Sequence, residues 1–348
     1  MTRSFAGRRA AAPARLALLA AAAFAACGTA SATENGGIRA LLGAPSYEMT
    51  TPAFPGWYGQ TWYQHYDSTD LRTDSGDKTV TSHANIPGVG PVAADFGYHI
   101  KADVFVPRIT YIAEQVLWDG HLGFSATLPI IHIDQQVTLT PQIPAGAPPV
   151  LAAGLAQAFA AKAAQNSGSR SGQGDLQMEA FADWQMDANR VIAGLEVIAP
   201  TGDYDKARGV INPGMGNYWT INPMIVLAHI WENGWQFGVR ATYSFNTTNK
   251  DTQIRSGQYF HDDWSMLYHW NDNWQIGAQG YNVIQTTSDE GPWVDPNGNK
   301  VRINAVGPSV AYLSDSGNWA LDVKVLDEFG VRNRPQGIVT WARLNFRF

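Results

Sequence analysis

The 348-residue chain has a single cysteine, Cys27. That residue stands in a stretch that reads as a removable leader, so the exported chain has no cysteine and no disulfide framework. Charge is scarce as well: Asp, Glu, Lys and Arg supply 16% of the residues, low for a water-soluble globular protein. The balance is acidic, 24 Lys+Arg against 30 Asp+Glu. No basic patch points to a nucleic-acid partner. After the leader, no apolar run is long enough to cross a bilayer as a helix. A membrane protein without such runs has to be a closed β-barrel, because only closure pairs every backbone group in lipid.

The leader is legible residue by residue. Arg3, Arg8, Arg9 and Arg15 make a basic start, Leu16 to Cys27 is a short apolar run, and Ala30-Ser31-Ala32 is a small-residue cleavage site. This is a secretory signal peptide over residues 1–32, with the mature protein at 33–348. Losing four arginines moves the formal charge from −6 to about −10. A competing reading takes Phe24-Ala25-Ala26-Cys27 as a lipobox with a lipidated Cys27, although Phe fits poorly at its first position.

Glycine and aromatics are plentiful: 34 Gly, 13 Trp and 13 Tyr. Short turns recur at Trp118-Asp119-Gly120, Asp187-Ala188-Asn189, Glu232-Asn233-Gly234, Asn271-Asp272-Asn273 and Asp315-Ser316-Gly317-Asn318. Asp, Asn and Gly supply the left-handed conformations of tight hairpins. Trp118, Trp184, Trp231, Trp235, Trp270, Trp274 and Trp319 sit beside these turns, as an aromatic girdle at a membrane interface would. Longer polar segments alternate with the short turns, at about 68–94, 140–174, 202–217, 247–258, 287–299 and 330–336.

Twelve strands are expected: 57–67, 97–112, 121–133, 175–186, 191–200, 218–231, 235–246, 259–270, 274–286, 301–314, 319–329 and 337–348. Trp235, Phe237, Val239, Ala241, Tyr243 and Phe245 alternate with polar residues, as do Trp319, Leu321, Val323 and Val325. In a barrel one face of each strand meets lipid and the other a polar lumen. The last strand alternates up to the terminal aromatic Phe348, although a strand of a soluble sandwich would alternate equally well. Pro107 marks a bulge in 97–112, and Pro223 and Pro308 weaken the register of their strands. Val150 to Gln165 is Ala-rich and reads as a helix, or else as a low-complexity linker. The expected fold is therefore all-β: a transmembrane antiparallel barrel of about twelve strands with one Ala-rich helix, about 150–165, in a long outer loop.

No catalytic constellation holds together. G-x-S-x-G is absent, and Gly172-Gln173-Gly174 lacks the Lys and Ser/Thr of a phosphate loop. His132-Ile133-Asp134 and His261-Asp262-Asp263 are isolated pairs, of the kind that is mostly solvated or structural rather than metal-binding. Glu179 and Asp183 could imitate an acid/base pair, but facing carboxylates are expected in any water-filled lumen. The expected lumen residues are Lys101, Asp103, Glu179, Asp183, Glu196, Arg240, Asp322, Lys324, Arg343 and Arg347. Opposite charges across a lumen set up a transverse field that disfavours bare ions, or they brace the barrel shut. Leu151, Leu155 and Phe159, spaced by four, form the helix's apolar stripe and are expected to narrow the mouth.

A series of short motifs runs through the chain in a fixed order. Gly172-Gln173-Gly174-Asp175-Leu176 precedes Pro200-Thr201-Gly202-Asp203-Tyr204-Asp205, then Asn212-Pro213-Gly214 and Asn217-Tyr218-Trp219. Ser256-Gly257-Gln258, Gly280-Tyr281-Asn282, Gly307-Pro308, Glu328-Phe329 and Asn333-Arg334 follow. Over about 55–348 this series resembles the outer-membrane channel family named for the meta-pathway of phenol degradation. The resemblance implies a monomeric barrel in the outer membrane of a Gram-negative cell that admits small organic molecules. It supplies no catalytic residue.

The expected function is passive uptake of small hydrophobic or aromatic molecules, without enzyme activity, metal or cofactor. The expected partners are the solutes, outer-membrane lipid and the barrel-assembly machinery. The rival classes are an outer-membrane enzyme acting on lipids, and a non-conducting adhesin or structural barrel.

Overall fold

Reversals with positive φ join neighbouring strands at one end of the sheet. Trp118 and Asp119 (φ 48° and 66°), Asp187 (45°), Gly234 (88°) and Gly317 (67°) all take the left-handed region that such turns require. The computed structural model describes residues 37–86, 90–143, 145–292, 294 and 300–348. The expected leader and Cys27 lie outside the described residues.

The strands are β1 (Gly56–Leu71), β2 (Thr81–Ile86), β3 (Gly90–Leu117), β4 (Gly120–Thr127), β5 (Ile130–Pro141), β6 (Gly168–Gln173), β7 (Leu176–Met186) and β8 (Asn189–Ala199). They continue as β9 (Thr220–Ile230), β10 (Trp235–Asn246), β11 (Tyr259–His269), β12 (Trp274–Gln285), β13 (Arg302–Leu313), β14 (Trp319–Arg332) and β15 (Pro335–Arg347). The one α-helix among the described residues, α1, spans Pro149–Gln165.

β1 pairs with β15 on one side and with β3 on the other, which closes the sheet. The ring runs β1, β3, β4, then β7 through β15, twelve strands joined antiparallel. Closure leaves no free edge in the ring, so its ladder groups are paired. Each expected strand corresponds to a ring strand. The expected 121–133 breaks at Leu128-Pro129 into β4 and β5. The bulge expected near Pro107 falls instead between Ile112 and Val116. Pro223, with its ring exposed, sits in a β9 that alternates without a break.

The chain divides into two compact units. Of the described residues, the smaller holds those in 79–98 and 136–168, and the larger the remainder. In the smaller unit β2 pairs with the start of β3, from Thr81↔Asp95 to Ile86↔Gly90. The stripe of α1 packs there: Leu155 and Phe159 are buried with Ala84, Val92 and Ala94, and Leu151 and Leu139 lie against them. Burying such a side chain stabilises by about 1.5–3 kcal/mol, which explains why an Ala-rich segment is a helix rather than a linker. Ser167 fastens its end, donating to the Ala163 carbonyl and accepting from the Val137 amide.

In the larger unit the inside/outside alternation is as expected on β7, β10 and β14. Leu321, Val323 and Val325 are exposed, while Asp322, Lys324 and Glu328 are buried. The turn-side tryptophans form a row with tyrosines: Trp235–Tyr268, Trp274–Tyr312 and Tyr312–Trp319 meet in tilted or edge-on pairs with centroids 5.2, 5.0 and 5.3 Å apart. β3 corrects the expectation. Its inward row is Val104 and Val106, buried in the interior core. Lys101 and Asp103 therefore point to the outer wall. There Asp103 accepts a hydrogen bond from exposed Tyr63 at 2.5 Å and pairs with His65 at 2.7 Å. Apolar residues face inward here because this part of the lumen holds protein, not water.

Candidate functional site: a lumen segment and a cavity beside it

The protein inside the ring is the chain's own segment before β1, residues 37–55. Its sequence carries Ile38, Leu41, Leu42, Tyr47 and Met49 without forming a strand, and apolar side chains of that number need a partner. Ile38, Leu42 and Ala44 join one core with Trp62, Val104, Val106, Leu326 and Trp341. Tyr47, in a short 3-10 turn (Tyr47–Met49), packs on Leu267, Ala311 and Ala320. Met49 packs on Met224 and Val226. Gly43 takes φ +75°, and a Cβ there would meet Leu326 at 2.8 Å. Only glycine satisfies both constraints.

The segment's backbone meets the lumen charges directly. Lys324 donates to the carbonyls of Ala44 and Pro45 at 3.1 and 2.8 Å. Trp341 donates to the Leu42 carbonyl, Arg190 to that of Thr51, and Gln185 to that of Ala53. The Gly43 amide donates to Asp263 at 2.6 Å. Glu48 pairs with Arg343 at 2.7 Å, and Arg343 lies 3.2 Å from Asp322.

At the far end from the short turns, Arg39 enters a socket. Its Nη2 donates to Asp175 at 2.6 Å and to the Gly216 carbonyl at 3.1 Å. Its guanidinium lies 4.1 Å from the Tyr218 ring centroid. Asp175 also accepts from the amides of Gly202 and Met215, at 2.9 and 3.1 Å. A Cβ on Gly202 would come within 2.6 Å of Gly214. The Gly174-Asp175, Pro200-Thr201-Gly202 and Asn212-Pro213-Gly214 motifs thus converge to build this socket. In the loop beside it, Arg208 and Arg170 donate to Asp203 at 2.8 and 3.2 Å. Arg208 first, then Arg170, holds that carboxyl below the usual carboxylate range.

Between the segment and the wall lies a cavity of about 550 Å³. Its lining combines apolar Phe181, Ile192, Met224 and Val226 with Arg108, Arg240, Glu179, Glu196, His261 and Asp263. Arg108 donates to Glu179 at 3.0 Å, and its guanidinium lies 5.5 Å from the Trp62 ring centroid. Arg240 stands 3.8 Å from Glu179 and 3.7 Å from Glu196.

Eight of the ten expected lumen residues are therefore inside. Glu179, Glu196, Arg240 and Arg347 line the cavity. Asp183, doubly bonded to Arg190 at 2.8 and 2.7 Å, and Asp322, Lys324 and Arg343 are covered by the segment or its partners. Lys101 and Asp103 are outside. Leu155 and Phe159 of the expected mouth constriction are buried within the smaller unit, with Leu151 against them. Sequence reasoning missed Arg39, Glu48, Trp62, Arg108 and Arg190. The available signal was the apolar content of 37–55, unexplained by any strand.

His132 shares hydrogen bonds with Ser171 (Nδ1, 2.7 Å) and Ser169 (Nε2, 3.4 Å) on exposed surface. Among the described residues no cluster of three or more His, Cys, Asp or Glu could hold a metal ion.

Comparison with known proteins bears on this architecture. The family described as "Putative MetA-pathway of phenol degradation" matches residues 69–344. The chain belongs to this family. Among solved structures it is similar to the COG4313 outer membrane channel from Pseudomonas putida F1, with a TM-score of 0.65. The two are 15% identical, over 88% of this chain and 100% of that one. That likeness shows the fold, an outer-membrane β-barrel. The P. putida toluene transporter TodX is more distant: TM-score 0.39, 9% identity, 86% of this chain and 92% of that one. So is the β domain of the Bordetella autotransporter BrkA: TM-score 0.43, 9% identity, 85% and 100%. Neither decides what passes through the barrel. No curated relative matches the chain.

Proposed function

We propose that the protein is an outer-membrane channel for passive uptake of small hydrophobic or aromatic molecules. One observation carries this reading: a closed ring with an apolar outer wall encloses a cavity of about 550 Å³ whose own lining is mainly apolar. Ligand sites of a few hundred Å³ with a largely apolar lining and a few polar groups suit drug-sized or smaller organic molecules. Inorganic ions would meet balanced charge in a mainly apolar lining. The family named for phenol degradation and the likeness to an outer-membrane channel support this reading. Segment 37–55 fills much of the lumen, so the solute path runs through the cavity and beside or past the segment.

The test is uptake of labelled toluene into proteoliposomes, paired with planar-bilayer conductance. Wild type should accelerate toluene entry over protein-free vesicles while passing little ionic current. A variant lacking residues 37–53 should show large conductance steps. An enzyme or adhesin would show neither effect, and would refute the reading.

A further inference from the structure

Arg240 is the exception among the lumen cations. Arg39, Arg190, Lys324 and Arg343 each hydrogen-bond to segment 37–55, to a carboxylate or to a backbone carbonyl, and Arg108 donates to Glu179. Arg240 Nε has no hydrogen-bond partner. Its Nη2 stands beyond hydrogen-bond length from both nearby carboxylates, at 3.8 and 3.7 Å. The atoms next to it repeat the pattern. His261 is 5% exposed and its Nδ1 has no partner; Thr242, 1% exposed, has an unpartnered hydroxyl. Thr242 and His261 are direct cross-strand neighbours, and Arg240 is two residues from Thr242 on the same face. Buried polar atoms without partners are rare in native proteins, and this group, of which Arg240 and His261 line the cavity, calls for a ligand.

The surroundings say what kind. Arg240 lies directly opposite Val226, and Thr242 opposite Met224, in the β9–β10 register. Arg240 thus borders apolar lining of the cavity, to which Phe181 and Ile192 also belong. A ligand there has an apolar body and a head that accepts hydrogen bonds, because a guanidinium only donates. Charge then separates neutral heads from ionic ones. Arg108 and Arg240 are already balanced by Glu179 and Glu196, and Asp263, opposite Arg240, adds one more negative charge. An anionic head would enter a field with no positive surplus.

We infer that the Arg240–His261 corner is the polar end of a solute subsite that selects small neutral carbonyl compounds with an apolar body. The inference rests on the channel reading, since it names the class of solute that the same cavity holds.

The probes are acetophenone, its apolar analogue ethylbenzene, and benzoate. Equilibrium dialysis of the full-length protein in detergent, corrected against protein-free micelles, measures binding of each. Acetophenone should bind about tenfold more tightly than ethylbenzene, the effect of a donor left unpaired by the apolar analogue. Benzoate should bind more weakly than acetophenone. Arg240→Met should erase the preference for acetophenone over ethylbenzene, with the heat-modifiability shift on gels reporting that the barrel is folded. His261→Phe, which removes a neighbouring polar atom, should reduce the preference if Arg240→Met does not fold. Equal binding of acetophenone and ethylbenzene to wild type would overturn the inference. So would tightest binding of benzoate, or a preference that survives in folded Arg240→Met. Toluene uptake by wild-type proteoliposomes is scored separately: its absence refutes the channel while the order of binding still decides the subsite.

Discussion

At the scale of single residues, the Arg39–Asp175 pair shows how one contact organises distant parts of the chain. Both side chains are buried, and Asp175 gathers two backbone amides besides Arg39. Removing one partner of such a pair strands a buried charge, at about 3–5 kcal/mol. Asp175→Ala should therefore free the first part of segment 37–55, seen as faster amide exchange from Arg39 to Gly43. Unchanged exchange would show that the apolar core alone holds the segment. Lys101 and Asp103 give a sharper test of placement. Lys101→Met and Asp103→Asn should leave ion selectivity of the segment-deleted channel untouched, since both residues face outward. Glu179→Gln, on the cavity wall, should shift the reversal potential toward anions. No periodicity argument could have placed Lys101 and Asp103 correctly: an alternating strand states which residues share a face, not which face is inside.

At the scale of elements, facing controls insertion. Val239 and Val323 lie on the outer faces of β10 and β14, in line with exposed Phe245, Leu321 and Val325. A charge on a lipid face near the midplane costs roughly 2–4 kcal/mol, so Val239→Arg or Val323→Arg should block stable insertion. Normal heat-modifiability and membrane levels in both variants would mean that the wall is reversed. An inward substitution is not automatically harmless. Ala320 packs against Tyr47, so Arg at this position should displace the segment and raise conductance rather than abolish folding. The helix behaves as a local element. Leu155→Ala with Phe159→Ala removes two fully buried side chains, and large-to-small changes of this type cost about 2–5 kcal/mol each. The expected result is loss of amide protection in α1 and β2 with the ring's protection retained.

At the scale of the whole molecule, β1 and β15 close the ring, and the chain's last residue is part of the closure. The Phe348 amide donates to the Trp57 carbonyl at 3.0 Å, and its ring meets Phe346 edge-on with centroids 5.1 Å apart. Deleting Phe348 should lower outer-membrane levels, read by immunoblot of membrane fractions. Undiminished levels would show that the terminal aromatic is dispensable for assembly.

The sequence by itself determined the ring: twelve strands, their order, the short-turn end with its tryptophans, and the facing of β7, β10 and β14. The physical reason is that lipid on one side and polar contacts on the other impose a period of two, and tight turns demand Asp, Asn and Gly. The helix was legible for a similar reason, through the four-residue spacing of Leu151, Leu155 and Phe159. Only the tertiary structure decided what fills the inside. Segment 37–55 has no repeat to reveal it, because it is held by side chains and carbonyls contributed from all around the ring. Val104 and Val106 pack inward in the same core as Ile38 and Leu42 of this segment, and Lys101 and Asp103 share the opposite, outer face. A lumen face can be met by water or by another part of the chain, and a strand's pattern changes sense between the two. That choice is made by contacts far apart in sequence, from Arg39 and Asp175 to Leu42 and Trp341, and it exists only once the ring has closed.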